Sequence, residues 1–285
     1  MFIPKELYEY YKSKPRLENI GNYALSDLDR LLLRQMIESF KEHGRKNGYT
    51  DDEIVMNVIT FVQSLPYTFD IDTTGYDDYP RFPLETLVDG GGDCEDSAVL
   101  AAALLFEMGC DVILIELPNH MAMGIKINDE IQGTFWEYNE ERYYYIETTY
   151  PDWNIGEVPP GYQNLSARLH PMIPIPQIHV SIQANYDRHD LNYVYYNVRC
   201  DIINYGPTTA KNISACIMAE FHPFDFNKAG SQGNEIFVGD IPEGGTRAAE
   251  AAVRIPRREV ARFSCIVSGD NFDPANAETN IISVC

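Results

Sequence analysis

The sequence predicts an α+β domain followed by an all-β domain, and three observations support this prediction. Helical patterns with N-terminal caps occupy about the first 65 residues and return after residue 93. Strand-like segments follow the last of these helices. Several prolines between residues 171 and 176 then separate this region from one in which short strands alternate with turn signals. We therefore expect domains at residues 1–172 and 177–285.

Three helices are expected in the first domain. One begins near residue 27 and runs to Phe40, with its apolar residues along one face. A second opens with Thr50-Asp51-Asp52-Glu53, a capping box whose side chains satisfy free N–H groups of the first turn. The third begins at Cys94 and is apolar on nearly every side until Gly109. A helix of that kind should be buried in the core.

The segments around the third helix lack helical periodicity. Residues 66–92 are rich in Tyr, Asp and Pro and are expected to form a loop. After the helix, a short buried strand at residues 112–117, a second strand at 120–127 and a hairpin with strands at 134–138 and 143–149 are expected to form an antiparallel sheet. The first domain is therefore predicted to be a group of helices followed by an antiparallel sheet.

The second domain shows a different pattern, in which apolar and polar residues alternate in short runs. Val198, Cys200 and Ile202, for example, would face one side of a strand while their neighbours face the other. Several such strands favour an immunoglobulin-like β-sandwich. Cys200 and Cys265 lie in these runs and either pair across the sandwich or stay as buried free thiols, which a reducing compartment favours.

Composition and charge exclude some classes of partner. Acidic residues number 43 against 22 basic residues, and the formal net charge of −21 argues against binding to nucleic acid or anionic lipid. No apolar run is long enough to span a bilayer, and the N-terminus lacks a signal-peptide pattern. We expect a cytoplasmic protein; a cell-envelope location is the alternative if an anchor segment lies outside this sequence.

Cys94 is the first candidate for chemistry, because it lies in the first turn of the buried helix. Asp93 is the expected N-cap, and Asp96 completes an approximate capping box. A helix N-terminus carries partial positive charge, which stabilises a thiolate. Taken alone, a cysteine at this position is more often a packing residue than a nucleophile.

His120 and Glu147 are the candidates for the two residues that would assist Cys94 in catalysis. His120 opens the strand expected to return beside the helix, and Glu147 lies late in the following hairpin. A nucleophilic thiol needs a base, and the base needs a group that orients it. Residues of these three types, placed at a helix start, a strand start and a late strand position, indicate nucleophilic catalysis more specifically than any one of them alone.

The segments that carry these residues resemble a known family. Gly92-Asp93-Cys94-Glu95-Asp96, Leu117-Pro118-Asn119-His120-Met121-Ala122 and Ile146-Glu147-Thr148-Thr149 resemble the transglutaminase-like superfamily, and its archaeal and bacterial transglutaminase-like cysteine proteinase branch most of all. The resemblance covers roughly residues 50–165. It implies a papain-like α+β fold in which Cys94 is the nucleophile, His120 the base and acid, and Glu147 the third triad member. The wider family usually has aspartate at that third position.

Three more residues are candidates for binding substrate. The backbone N–H of Cys94 should contribute to an oxyanion hole. Gln63 is the candidate for the second donor because an amide can donate to developing charge, and Tyr67 is the alternative donor. Trp136 could wall a substrate groove, although core packing explains a tryptophan there equally well.

No cofactor is expected to be required, but calcium is an open alternative. Part of the resembled branch binds calcium through acidic residues that flank the cysteine, and Asp93 and Glu95 occupy those positions here. Two carboxylates alone make a sparse site for a hard cation. Without a cation, their charge would oppose ionisation of Cys94.

The leading hypothesis is a thiol enzyme that acts on peptide or side-chain amides of a protein or peptide substrate through an acyl-enzyme. Water would complete hydrolysis and an amine would complete transamidation; the resemblance favours hydrolysis. The competing hypothesis is a catalytically inactive peptide- or protein-binding module with an adhesive β-sandwich.

Overall fold

The computed structural model of the chain describes residues 3–127, 131–163, 165–223, 230–257 and 259–284. The chain divides into two compact units, Met1–Pro174 and Ile175–Cys285. We call them unit 1 and unit 2 and describe each by itself. None of the helices in the described ranges combines the length and the apolar character that crossing a membrane requires.

Unit 1 is built from helices and one antiparallel sheet. Its α-helices are α1 (Lys5–Ser13), α2 (Asp27–Asn47), α3 (Asp51–Gln63), α4 (Asp70–Thr73), α5 (Pro83–Asp89) and α6 (Cys94–Glu107), with 3₁₀ helices at Ile20–Leu25 and Pro160–Tyr162. The capping box of α3 is present, since Thr50 N–H donates to Glu53 Oε2 at 2.7 Å and Glu53 N–H donates to Thr50 Oγ1 at 3.3 Å. The α+β character of this unit is as the sequence predicts.

Three helices differ from the sequence prediction. The expectation that residues 66–92 form a loop is wrong, because α4 and α5 lie there. Proline at the first position of α5 and Gly90 after its end, with φ 75°, are ordinary helix boundary signals. Helix α2 continues well past Phe40, until Gly48 adopts φ 73°.

The sheet of unit 1 has the strand order β3-β4-β2-β1-β5, with every pairing antiparallel. The strands are β1 (Val112–Leu117), β2 (His120–Lys126), β3 (Phe135–Tyr138), β4 (Glu141–Ile146) and β5 (Arg168–Pro171). Strand β5 lies where the sequence suggests the start of a linker; it pairs with β1 at the edge of the sheet.

Helix α6 packs against β1 and β2 and is the centre of this unit. Every residue from Ala98 to Leu105 is 0% exposed. Because α6 is apolar on all sides, it can be covered by helices on one side and by the sheet on the other. Its first residue, Cys94, therefore lies where the buried helix meets the surface.

Unit 2 consists of two antiparallel sheets around one apolar core. Strands β6 (Ile178–His189), β7 (Tyr193–Asn204) and β10 (Thr246–Pro256) form the sheet β10-β7-β6. The other sheet has the order β12-β11-β8-β9, with β13 also paired to β11; its strands are β8 (Ala210–Pro223), β9 (Gly230–Ile241), β11 (Glu259–Ser268), β12 (Ala275–Glu278) and β13 (Ile282–Val284).

The sequence did not indicate β9, β12 or β13. Strand β9 contains several glycines and few consecutive alternations of apolar and polar residues, so its pairing with β8 defines it more than its own pattern does. The immunoglobulin-like topology itself stays a prediction; what the structure shows is an all-β unit of two sheets.

Candidate active site

Cys94 is positioned by a short glycine-rich turn between α5 and α6. Gly90 has φ 75°, which a residue with a side chain seldom adopts. A Cβ on Gly91 would lie 2.4 Å from the carbonyl oxygen of Pro66, so only glycine lets the two backbones approach this closely. The N–H of Asp93, the N-cap, donates to Asp96 Oδ2 at 3.3 Å.

His120 and Glu147 form a buried hydrogen-bonded pair. His120 opens β2, and Glu147 follows directly after β4, the strand that pairs with β2. The distance from His120 Nε2 to Glu147 Oε2 is 3.0 Å, and the two side chains are 7% and 1% exposed. Antiparallel pairing therefore brings together two residues that are 27 positions apart in the sequence.

The carboxylate of Glu147 accepts four further hydrogen bonds. The Tyr145 hydroxyl donates to Oε2 at 2.8 Å, beside His120. The N–H groups of Thr148 and Thr149 each donate to Oε1 at 3.0 Å, and the Thr149 hydroxyl donates to the same oxygen at 2.7 Å. Burial alone would raise the pKa of Glu147, but the bonds from His120 and Thr149 and the attraction of His120 lower it to about 2. Glu147 is therefore ionised at neutral pH.

These contacts determine how the imidazole is presented. Because Nε2 of His120 faces Glu147, Nδ1 is the ring nitrogen that remains for another partner. The ring stacks on Tyr162, with centroids 4.3 Å apart and planes 11° apart. The backbone N–H of Met121, the residue after His120, donates to the Cys94 sulfur. The start of β2 thus borders both the thiol and the carboxylate.

The Cys94 thiol is disfavoured as a thiolate in its surroundings. Burial raises its pKa well above the ordinary value, and the charge of Glu95 raises it further, while the N–H of Met121 opposes the change. The thiol donates to Glu95 Oε2 at 3.2 Å. The expected stabilisation by the helix N-terminus is therefore outweighed here by burial and neighbouring carboxylates.

Asp93 and Glu95 also perturb each other. Burial raises the pKa of Asp93 to about 8, with further contributions from its hydrogen bond to Glu95 and from the charge of that residue. Asp93 Oδ1 is buried without a hydrogen-bond partner. Ligand atoms of Asp93, Cys94 and Glu95 lie within 4.8 Å of one another. Two close carboxylates with an unsatisfied buried oxygen are a donor set that fits a hard divalent cation.

A buried ion-pair network around Arg81 holds the first turn of α6, the turn that begins with Cys94. Arg81 Nη1 donates to Asp70 Oδ1 at 2.6 Å and also to Asp96, and the Arg81 side chain is 1% exposed. Burial alone would lower the pKa of Arg81, but the two carboxylates hold it above its ordinary value. The network ties α4 and the segment before α5 to the first turn of α6.

The three predicted binding residues have different surroundings. Gln63 is buried, and its Nε2 donates to the carbonyl oxygens of Glu147 at 2.8 Å and Trp153 at 3.0 Å. Both amide protons are thus used within the protein, so the predicted oxyanion role of Gln63 is not supported by its geometry. Its amide instead holds the segment that carries Glu147 against α3.

Tyr67 and Trp136 are the other two predicted binding residues. Tyr67 lies beside the Cys94 turn, because its backbone pairs with that of Gly92, and its ring is 37% exposed. Trp136 is half-buried on β3 and its ring centroid is 5.9 Å from that of Tyr145. Tyr67 therefore borders the candidate site directly, whereas Trp136 packs against Tyr145, which donates a hydrogen bond to Glu147.

Sequence reasoning missed several residues that contact the pair. Tyr145 and Thr149 each lie two positions from Glu147, and for Tyr145 the alternation of a strand places it on the same face. That spacing was a usable signal. Tyr162 stacks on His120 from the 3₁₀ helix Pro160–Tyr162, 42 positions away, which no local pattern in the sequence indicates.

Comparisons with known proteins leave the family open. No family model matches the chain, and no curated protein matches it. Among solved structures, a transglutaminase of red sea bream aligns with 99% of this chain and 64% of its own, at 10% identity and a TM-score of 0.33. A protein of Bordetella pertussis described as ApaA aligns with 39% of this chain and 97% of its own, at 15% identity and a TM-score of 0.29. At TM-scores this low, neither likeness carries a conclusion about fold or function.

Proposed function

We propose that unit 1 is a cysteine-dependent enzyme that cleaves amide bonds through a triad of Cys94, His120 and Glu147. The observation that carries the proposal is the buried His120–Glu147 pair. His120 opens β2, and the next residue, Met121, interacts through its backbone N–H with the Cys94 sulfur. A histidine held by an ionised carboxylate is the arrangement that a general base needs.

The proposed reaction follows from these contacts. His120 Nδ1 takes the proton of Cys94 as the sulfur attacks the amide carbonyl, and Glu147 stabilises the imidazolium that forms. The imidazolium then protonates the leaving amine, which leaves an acyl-enzyme on Cys94. Because the resting thiol has a raised pKa, proton transfer accompanies attack rather than preceding it. Water completes the reaction by hydrolysis, with His120 again acting as base.

The tetrahedral oxyanion needs hydrogen-bond donors. The backbone N–H of Cys94 lies at the N-terminus of α6, where the first N–H groups have no partner within the helix. Tyr67, whose backbone pairs with Gly92 and whose side chain interacts with Cys94, is the proposed side-chain donor in place of Gln63.

A protein or peptide is the proposed substrate, because exposed aromatic rings border the candidate site. Phe69 and Tyr150 are both 60% exposed, and both contact the Tyr67 ring, with centroids 5.4 Å and 6.3 Å away. Exposed apolar groups that cluster beside a buried reactive site are typical of surfaces that bind a partner chain. The net negative charge of the protein disfavours a nucleic-acid partner.

Calcium is proposed as an accessory ion. Asp93 and Glu95 would hold it, and a bound cation would supply positive charge that favours ionisation of the neighbouring thiol. Iodoacetamide labelling of Cys94 at neutral pH should then be faster with millimolar calcium than with chelator. Equal labelling rates under both conditions would exclude this role for calcium.

The central experiment combines labelling with turnover. Cys94→Ala should abolish both iodoacetamide labelling at that site and cleavage of an unfolded protein such as casein. Cys110→Ala is the matched control, because Cys110 is a second partly buried free cysteine that follows α6. We expect that control to keep full cleavage. Undiminished cleavage by Cys94→Ala would refute the proposal.

One observation favours a second function, that of a non-catalytic peptide-binding module with an adhesive unit 2. Burial raises the pKa of Cys94, and its thiol donates a hydrogen bond to Glu95, which is not the arrangement of an activated thiolate. The two functions differ in a direct measurement: an enzyme releases new amino groups from casein, whereas a binding module retains the chain unchanged.

A further inference from the structure

Two cysteines face each other in the core of unit 2. Cys200 lies on β7, the central strand of the three-stranded sheet, and Cys265 lies on β11, in the opposite sheet. Both side chains are 0% exposed and belong to the single apolar core that the two sheets share. Neither has a part in the chemistry proposed for unit 1.

A second contact shows that β7 and β11 lie face to face. The rings of Tyr196 and Phe263 meet across the two sheets with centroids 5.1 Å apart. Tyr196 is four residues before Cys200 and Phe263 is two residues before Cys265, so strand alternation places each cysteine on the same face as its aromatic neighbour. The Cys200 and Cys265 thiols also interact directly with each other.

Cys216, the other cysteine among the described residues of unit 2, does not compete with Cys200 as the partner of Cys265. Cys216 lies on β8, which pairs with β11 so that Cys216 is opposite Ile266 and Ile217 is opposite Cys265. Because alternate residues of a strand point to opposite faces, Cys216 points away from the core that Cys265 occupies. Among the described cysteines of unit 2, Cys200 is therefore the partner that faces Cys265.

We propose that Cys200 and Cys265 are a covalent modification site, joined by a disulfide between the sheets when unit 2 folds in the presence of a small disulfide oxidant. Two thiols lose two protons and two electrons as the S–S bond forms, and one molecule of glutathione disulfide is reduced to two of glutathione. The thiolate of one cysteine attacks glutathione disulfide and releases one glutathione, which leaves a mixed disulfide on that cysteine. The thiol of the other cysteine then attacks the mixed disulfide, and the second glutathione leaves as the S–S bond between Cys200 and Cys265 forms.

Burial decides when this reaction takes place. At 0% exposure neither sulfur can meet an oxidant in the folded core, so the bond forms during folding, before the sheets close. The same burial protects the finished bond from reductants. Oxidation of already folded, reduced protein should therefore be slow, while oxidation during folding is efficient.

The test counts thiols. The full chain is unfolded under reducing conditions, refolded either in mixed oxidised and reduced glutathione or in reductant, and then alkylated with iodoacetamide in denaturant. We expect the number of alkylated cysteines to fall from six to four in the glutathione buffer, with one linked peptide pair containing Cys200 and Cys265. Cys216→Ser should keep that linked pair, whereas Cys200→Ser should lose it.

The inference is overturned if all six cysteines of folded oxidised protein alkylate, or if the linked peptides join any other pair. The same mapping on chain secreted into a bacterial periplasm, where folding occurs under an oxidant, makes the outcome independent of the refolding yield. The readout is covalent and does not depend on whether unit 1 is an enzyme.

Discussion

Replacing Glu147 with glutamine tests whether this carboxylate is held as an ion. The substitution keeps the shape of the side chain and removes its charge. Five donors converge on the two oxygens of Glu147, and its side chain is 1% exposed. A glutamine can accept through one oxygen only, and its NH₂ group would face donors.

The expected loss follows from the pKa. The value for Glu147 falls from an ordinary 4.5 to about 2, and a tenfold change in ionisation constant corresponds to about 1.4 kcal/mol. Ionisation of Glu147 therefore contributes about 3 kcal/mol to the free energy of unfolding at neutral pH. Because the pKa is lowered in the folded state, this contribution is complete above about pH 4.5 and is lost as the pH falls toward 2.

This loss can be measured by urea unfolding followed by tryptophan fluorescence. The signal reports on unit 1, because both tryptophans of the chain, Trp136 and Trp153, belong to that unit. We expect Glu147→Gln to lower the free energy of unfolding by about 3 kcal/mol at pH 7, and the difference from wild type to shrink at acid pH.

The matched control is Glu116→Gln, which removes a carboxylate that bonds His170 at 2.7 Å but is 45% exposed. An exposed pair of this kind is worth about 1 kcal/mol or less. If Glu147→Gln costs no more than this control, the reasoning about the buried carboxylate is wrong.

Three further substitutions are informative. Arg81→Met should cost about 3–5 kcal/mol by the same fluorescence measurement, because it leaves two buried carboxylates without their cation. Gly91→Ala should lower the free energy of unfolding by about 1–3 kcal/mol and slow iodoacetamide labelling of Cys94, because its Cβ would lie 2.4 Å from the carbonyl oxygen of Pro66. Gly161→Ala is the control and should change neither, because its Cβ would meet nothing within 4 Å. Tyr145→Phe should cost about 1.5–3 kcal/mol in urea unfolding, because it removes a hydrogen bond to the charged Glu147; an unchanged midpoint would show that this bond is not formed.

Local signals in the sequence were sufficient for elements that depend on few neighbours. The capping box at Thr50 predicted the start of α3, and the apolar run ending at Gly109 predicted a buried α6. Helix α5 also carried its signals, Pro83 and Gly90, but they lie in a segment whose composition is typical of loops. Strand β9 had no such signals, because pairing with β8 rather than its own residues stabilises it.

In the candidate site, too, the sequence indicated some residues correctly but not the roles that depend on the folded chain. Residue type and position brought forward His120 and Glu147, and the structure shows the hydrogen bond between them. Gln63 could not be assigned from sequence, because its role depends on two carbonyl groups that come close only in the folded chain. For the pKa of Cys94 the sequence indicated two opposing effects, the helix terminus and the flanking carboxylates. Burial, which depends on tertiary packing and could not be predicted from the sequence, is the largest cause of the rise in that pKa.

The complete enclosure of α6 has a consequence for how this protein can vary. Helices at a surface tolerate exchange on their solvent side and so show a periodic pattern in a saturation mutagenesis experiment. From Ala98 to Leu105 no position faces solvent, so deleterious substitutions should form an unbroken block with no three-to-four-residue rhythm. Substitutions should therefore accumulate in other parts of the protein, and the segment from Ala98 to Leu105 should be the slowest part of the chain to diverge.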